Sequence, residues 1–168
     1  MLEQPSLWLS HPSSVWPPGL QRTGRWLRRV LAAETREPLG HIAINPGRRL
    51  PWPTGRRIAA YEMPDASLLF TARRAGWVWP FTTVAEADGN VVAIQYGETL
   101  ASPSRRFLAQ RDPSSAGRAG RFVNRAGAEL IRWQPGGGGT LVHFLADVRS
   151  EPFMKMGLLA AVLMQADP

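Results

Sequence analysis

The segment that most constrains the fold lies close to the C-terminus. Residues 153–164 read FMKMGLLAAVLM, and Lys155 is their only charged residue. The apolar side chains would cover every face of a helix, so a helix here has to be buried on all sides. The segment is shorter than the roughly 20 apolar residues that a membrane span requires. It therefore predicts a helix, over about residues 152–165, that the rest of the protein encloses.

The remaining chain has the pattern of short strands separated by turns. About ten segments have strand-like composition and are bounded by Gly, Pro, Asn or Asp, and the sequence contains 16 Gly and 15 Pro. Asp88-Gly89 marks one hairpin, because glycine supplies the positive φ of a tight turn. A sheet that closes around the apolar helix buries that helix and leaves no unpaired edge. We predict a mainly β protein, a closed antiparallel β-barrel of about 10–12 strands enclosing the hydrophobic C-terminal α-helix.

Two regions differ in composition. Residues 1–24 are rich in Pro, Ser and Trp and are interpreted as an N-terminal arm that packs back on the body, with residues 7–9 as a candidate short strand. Residues 25–168 are predicted to form a single barrel domain. Within it, 97–104 is expected to be a Ser/Pro loop. The glycines at 136–139 are expected to form a hairpin loop instead of a phosphate cradle, because a strand and no lysine follows them.

The charge of the chain comes almost entirely from arginine. The net charge is +7, with 20 Lys and Arg residues, and Lys155 is the only lysine. Codon usage in a GC-rich bacterial genome explains such a bias, and attraction to anionic phospholipid or nucleic acid is the functional explanation. The loop 45–57 concentrates this charge around a tryptophan that favours the membrane–water boundary. Its candidate anion- or lipid-binding residues are Arg48, Arg49, Trp52, Arg56 and Arg57.

Motifs for chemistry are missing from the sequence. There is no cysteine, so disulfides, thiolate metal sites and cysteine nucleophiles are excluded. His11, His41 and His143 stand apart without metal-ligand spacing. We therefore expect no catalytic residue, no metal and no cofactor. No signal peptide or transmembrane-length segment is recognised, which predicts a cytoplasmic protein that is soluble or peripheral to a membrane.

The order of features along the chain carries a family resemblance. An apolar strand that ends in Arg-Arg, residues 68–74, precedes a hairpin at 84–94. Arg105-Arg106-Phe107 then leads to a further hairpin that starts at Arg121, and a Glu-Pro step opens the final apolar helix. Over residues 25–165, the chain resembles the tubby C-terminal-like superfamily, in particular its phospholipid scramblase and LURP-one-related branches.

The resemblance implies a closed antiparallel barrel threaded by its C-terminal helix. It also implies a non-enzymatic role in binding anionic phospholipid or phosphoinositide-like headgroups, or a protein partner. The chain departs from the group's hairpin pattern, because Ala85 or Glu86 replaces an Asp and Val92 replaces a Gly. It also lacks the acidic calcium-binding segment and the lipidation cysteines of eukaryotic scramblases.

Two other function classes stay open. A basic nucleic-acid-binding domain is the main alternative, because the seven tryptophans are available for stacking on bases. An enzyme or a small-ligand-binding barrel is the third, and it conflicts with a helix that fills the interior.

Overall fold

The computed structural model describes residues 1–16, 23–47, 55–76, 79–115, 119–145, 148 and 150–166. They form twelve strands and one helix. The strands are β1 (Ser6–Ser10), β2 (Trp26–Ala32), β3 (Pro38–Asn45), β4 (Arg57–Glu62), β5 (Ser67–Ala75), β6 (Phe81–Glu86), β7 (Val91–Tyr96), β8 (Thr99–Ala101), β9 (Phe107–Arg111), β10 (Gly120–Val123), β11 (Glu129–Gly136) and β12 (Gly139–Phe144). The helix is α1 (Pro152–Ala166).

The strands follow one another around a closed barrel. Each strand pairs antiparallel with the next strand in the chain, and β1 pairs with β12 to close the sheet. The seam between β1 and β12 joins Leu7 to Val142 and Leu9 to Thr140. Closure leaves no strand edge unpaired, so the main-chain hydrogen bonds of the sheet are satisfied within it. The predicted fold class is therefore confirmed, with the strand count at the upper end of the predicted range.

The helix α1 lies inside this barrel. Six consecutive residues, from Leu158 to Leu163, are at most 1% exposed, and six consecutive positions cover every face of a helix. The helix shares one hydrophobic core with side chains from around the sheet, among them Ile42, Phe70 and Phe144. At Gly157 the sheet approaches closely, because an added Cβ would lie 3.0 Å from Ala93 Cβ. Burial on all sides, predicted from the composition of residues 153–164, is thus met by the sheet.

The helix gives the barrel two distinguishable ends. Because α1 starts near Phe144 at the end of β12, it runs back through the barrel antiparallel to β12. We call the end where α1 begins the bottom and the end where it finishes the top. Even-numbered strands run from top to bottom and odd-numbered strands from bottom to top. Residues that are distant in sequence therefore meet at one end.

The bottom is closed by the first residues of the chain. Lys155, which the sequence suggests would extend its side chain toward the barrel mouth, is 1% exposed. Its ammonium group donates a hydrogen bond to the backbone carbonyl of Leu2 and lies 5.4 Å from the centroid of the Phe144 ring. The Met1 amino group pairs with the Glu62 carboxylate beside it. The lysine does reach the mouth, but the N-terminal residues cover it.

Two elements differ from the sequence-based expectations. Residues 6–10, assigned to the arm with a candidate short strand, form the strand that closes the barrel. The arm then crosses the outer face, where Ser13 bridges Leu27 and Trp16 packs edge-on against His41. The expected loop 97–104 contains β8, whose Leu100 is fully buried. At three residues, β8 is too short to show a periodic pattern.

Candidate anion-binding rim

The charged residues divide between the two ends of the barrel. Most of the described carboxylates lie at the bottom, in turns or at strand ends: Glu3, Glu34, Glu37, Glu62, Asp65, Glu86, Asp88, Glu129 and Glu151. Several cations accompany them, including Arg36, Arg106 and Arg125. At the top, the described carboxylates are Glu98 and Asp112. The barrel therefore has an acidic bottom and a top in which arginine predominates.

Arginines at the top ends of β2, β4 and β5 lie on one part of the barrel, where β3 separates β2 from β4. Arg25 precedes the start of β2, Arg56 and Arg57 lie at the start of β4, and Arg73 and Arg74 lie near the end of β5. We call these five residues the basic rim. All are exposed except Arg56, which is half-buried. The sequence has no Asp or Glu in residues 38–61 or 66–85, which include the top ends of β3, β4, β5 and β6.

Arg57 and Arg73 are directly opposite each other on β4 and β5. Their neighbours Ile58 and Ala72 point at the helix and are buried, so both arginines point away from the core. Like charges at directly opposite positions of an antiparallel pair destabilise that pair. An anion held between the two guanidinium groups would remove the repulsion, and the planar guanidinium binds phosphate oxygens in pairs.

The outward row continues along the neighbouring strands. Asn45 is opposite Arg57 on β3, and Thr83 is opposite Arg73 on β6. Arg25 borders the row, because its N–H donates to the Ile44 carbonyl at 3.0 Å. Within the part of the chain that the structure describes, Arg25, Arg57, Arg73 and Arg74 form no ion pair. The row thus presents positive charge and hydrogen-bonding groups without a carboxylate.

Exposed aromatic residues stand beside the rim. Trp79, in the connection from β5 to β6, is 84% exposed, and Tyr96 at the end of β7 is 47% exposed. Phe81 contacts Tyr96 with ring centroids 6.1 Å apart. Gly76 has φ of 85°, and a Cβ there would lie 2.3 Å from the Trp79 carbonyl oxygen. A larger residue at position 76 would therefore displace the backbone that carries Trp79.

The predicted site overlaps this rim in part. Of the five predicted site residues, Arg56 and Arg57 lie in the basic rim. Arg48, Arg49 and Trp52 fall outside the described residues. The loop that carries them leaves β3 and returns to β4 at the rim. The sequence pattern places the Arg73-Arg74 pair in a strand and does not single out Trp79. Counting outward from the Glu62–Ser67 pair would place Ala72 opposite Arg57. A register shift between Ala60 and Tyr61 places Arg73 there instead.

Some arginines outside the rim are paired with carboxylates. A cavity of about 250 Å³ near β10 and β11 is lined partly by Arg121 and Arg132. Arg121 binds Asp112 at 2.5 Å, and Arg132 binds both carboxylate oxygens of Glu129 at 2.7 Å. Hydrogen bonds from Ser114 and Arg121 lower the pKa of Asp112 to about 2. Arg121 and Arg132 are thus paired with carboxylates, whereas Arg25, Arg57, Arg73 and Arg74 in the rim form no ion pair within the described residues.

A further polar pair lies on the outer face of the barrel, at the seam between β1 and β12. The Ser6 hydroxyl and His143 Nδ1 lie 2.5 Å apart across the β1–β12 seam. In the described ranges, no three His, Asp or Glu residues come together in a way that suits a metal ion.

Comparison with known proteins adds no identification. No protein-family model, curated protein or solved structure matches this chain. The likeness to the tubby-like group therefore stays a prediction based on the order of sequence features. No helix in the described part of the chain is long and apolar enough to cross a membrane.

Proposed function

We propose that this protein is a non-enzymatic barrel domain of the tubby-like kind that binds anionic phospholipid surfaces through its basic rim. One observation carries the proposal: Arg57 and Arg73 project side by side from the top of the barrel, and no carboxylate of the described residues pairs with them. In the sequence, Arg48, Arg49 and Trp52 lie between Asn45 of β3 and Arg57 of β4, and we expect the two arginines to add positive charge there.

Electrostatics makes an anionic membrane a suitable partner for such a rim. Each arginine near an anionic lipid surface contributes about 1 kcal/mol to binding. The four exposed arginines of the rim would together provide useful affinity without a deep pocket. The attraction falls off within a Debye length, about 8 Å at physiological ionic strength. Binding should consequently weaken when salt is added.

The interior of the barrel supports a function at the surface. The residues of α1 fill the space that a small ligand or substrate would occupy, as their burial shows. A barrel that binds a small molecule usually keeps an internal cavity for it. The surface and the loops are therefore the places where a partner can bind.

Nucleic acid is the competing partner for a basic surface. Proteins that bind single strands combine a positive groove with several aromatic rings on which successive bases stack. Among the described residues, Trp79 is the only exposed tryptophan. Phe81 is half-buried and packs against Tyr96. An indole that projects beside arginines suits the boundary of a bilayer, so we favour lipid.

Vesicle co-sedimentation tests the proposal. The full chain is mixed with vesicles of phosphatidylcholine alone or with phosphatidylserine added. We expect binding only to the anionic vesicles, and a loss of roughly tenfold to thirtyfold in affinity for Arg57→Gln/Arg73→Gln. The control is Arg106→Gln/Arg125→Gln, which removes the same charge from exposed positions at the bottom.

The outcomes separate the candidate functions. Equal affinity for the two double variants would contradict a role for the rim. Absence of vesicle binding by the unmodified chain would overturn the lipid proposal. Salt-dependent binding of a fluorescent single-stranded oligonucleotide, combined with indifference to vesicles, would favour the nucleic-acid alternative.

A further inference from the structure

We infer that Trp79 anchors the barrel in a bilayer, so that the molecule stands with its top on the membrane and its acidic bottom facing away. This inference rests on the proposed function and adds the manner of docking to it. The partner is the interfacial region of a bilayer that contains anionic lipids, as opposed to a soluble anion.

The exposure of Trp79 is the first argument. Trp79 is 84% exposed, which is the largest fraction among the exposed large hydrophobic residues that the structure describes. An indole combines a large apolar surface with one N–H donor, and tryptophan concentrates where a bilayer meets water. A soluble phosphate would interact with the rim arginines and leave this apolar surface in water. A bilayer interface would bind the rim arginines through its headgroups and also bury the apolar surface of the indole.

The position of Trp79 relative to the rim is the second argument. Ala75 pairs with Phe81, so the connection between them caps the β5–β6 hairpin at the top of the barrel. Arg73 and Arg74 lie on the same hairpin just before this connection. The indole and the guanidinium groups therefore project from one end of one hairpin. Arginine contacts headgroups at the depth where a tryptophan ring enters the interface.

The backbone at Trp79 is held by its neighbours. Gly76 adopts φ of 85° and packs against the Trp79 carbonyl, and Pro80 follows with a restricted φ. Phe81, the first residue of β6, is held against Tyr96. The backbone of Trp79 thus lies between Gly76, which its carbonyl contacts, and Phe81, which is held in the sheet.

Charge separation is the third argument, because it selects which end faces the membrane. The helix that spans the interior has 15 residues, which corresponds to a length of about 22 Å. This is more than two Debye lengths at physiological salt, about 8 Å each. The carboxylates at the bottom would therefore be largely screened from an anionic surface that contacts the top. The reverse orientation would bring those carboxylates against the lipid charge.

The absence of cysteine from the sequence makes a direct test simple, because one introduced cysteine is a unique labelling site. Trp79→Cys and Ala87→Cys are each labelled with an NBD fluorophore, whose emission rises and shifts to the blue in an apolar environment. Ala87 is exposed in the β6–β7 turn at the bottom. Vesicles of phosphatidylcholine with phosphatidylserine are added, and thermal unfolding confirms that both labelled proteins are folded.

We expect an emission increase of roughly threefold and a blue shift at position 79, and no change at position 87. A matching Trp79→Ala variant should lose roughly tenfold in vesicle affinity while the rim arginines remain. Sedimentation with anionic vesicles but no change at position 79 would overturn the anchor and leave the proposed function standing. Equal changes at both positions would overturn the orientation. Failure to sediment with anionic vesicles would overturn both.

Discussion

The ammonium group of Lys155 donates a hydrogen bond to the backbone carbonyl of Leu2, so the first turn of the central helix is tied to the start of the chain. The same group lies 5.4 Å from the centroid of the Phe144 ring, in cation–π range. The contact joins α1, the segment before β1 and the end of β12 at the bottom of the barrel. The only lysine of the sequence thus has a structural position in the core.

Shortening this side chain should cost more stability than neutralising it. Lys155→Met keeps a similar aliphatic stem and leaves the Leu2 carbonyl without its donor, so we expect a loss of about 1–3 kcal/mol. Lys155→Ala also creates a cavity, and we expect about 2–5 kcal/mol. Urea denaturation followed by tryptophan fluorescence measures both. Equal losses would show that the charge, and not the stem, supplies most of the stabilisation.

A charge in the middle of α1 should prevent folding. Leu158 is fully buried, so Leu158→Arg places a guanidinium among apolar side chains without a partner. We expect a loss above about 4 kcal/mol and no cooperative thermal transition. The matched control is Phe153→Arg, because Phe153 lies in the same helix and is about half exposed. An unchanged melting temperature for Leu158→Arg would contradict the enclosed helix.

Two glycines on different parts of the sheet should respond oppositely to alanine. A Cβ at Gly40 would lie 2.2 Å from the Tyr61 carbonyl oxygen, so the backbones of β3 and β4 would have to separate. We expect Gly40→Ala to cost about 1–3 kcal/mol. A Cβ at Gly137 meets nothing within 4 Å. Gly137→Ala should be neutral or stabilise by up to about 1 kcal/mol, because alanine restricts the unfolded chain. Differential scanning calorimetry of both variants decides, and a similar loss in each would contradict the close approach.

The arm that crosses the outer face should respond to pH through His41. Its ring is stacked on Tyr61 at 4.8 Å and covered by Trp16, and Arg29 is directly opposite on β2. Burial lowers the pKa of His41 below its ordinary value of about 6.5. The unfolded chain therefore takes up this proton first as the pH falls. His41 consequently lowers the free energy of unfolding progressively below about pH 7.

Melting temperatures at pH 7.5 and 5.5 test this contribution. His41→Phe keeps an aromatic ring and removes the titration, so it should show a smaller decrease between the two pH values than the unmodified chain. His11→Gln serves as the control, because His11 is exposed. If both substitutions leave the decrease unchanged, His41 does not contribute to the acid sensitivity.

Several parts of the fold could be predicted from local sequence, for identifiable reasons. The enclosed helix was predictable because its apolar composition leaves no face suited to contact with solvent. The β6–β7 hairpin was predictable because Asp88-Gly89 strongly favours a tight turn, and Gly89 indeed has φ of 89°. The strand β8 was not predictable, because it consists of three residues and is held by pairing with β7 and β9. The role of β1 depends on pairing with β12, at the opposite end of the sequence.

The candidate site shows the same division. A loop dense in arginine indicates an anion-binding region, and Arg56 and Arg57 lie in the rim. Arg73 and Trp79 could not be added to it from composition, because their proximity to Arg57 depends on hairpin register and on the end of the barrel at which each strand stops. Charge separation between the two ends likewise appears only when alternate strand directions are known.

The sequence by itself determined that an all-apolar helix must be enclosed and that short strands must enclose it. The reason is that side-chain composition decides which segments have to be buried. Only the tertiary structure decided which strand closes the barrel and which arginines meet. Strand pairing brings distant residues such as Leu7 and Val142 together, and likewise Arg57 and Arg73. Such contacts depend on register and strand direction, which local patterns do not encode.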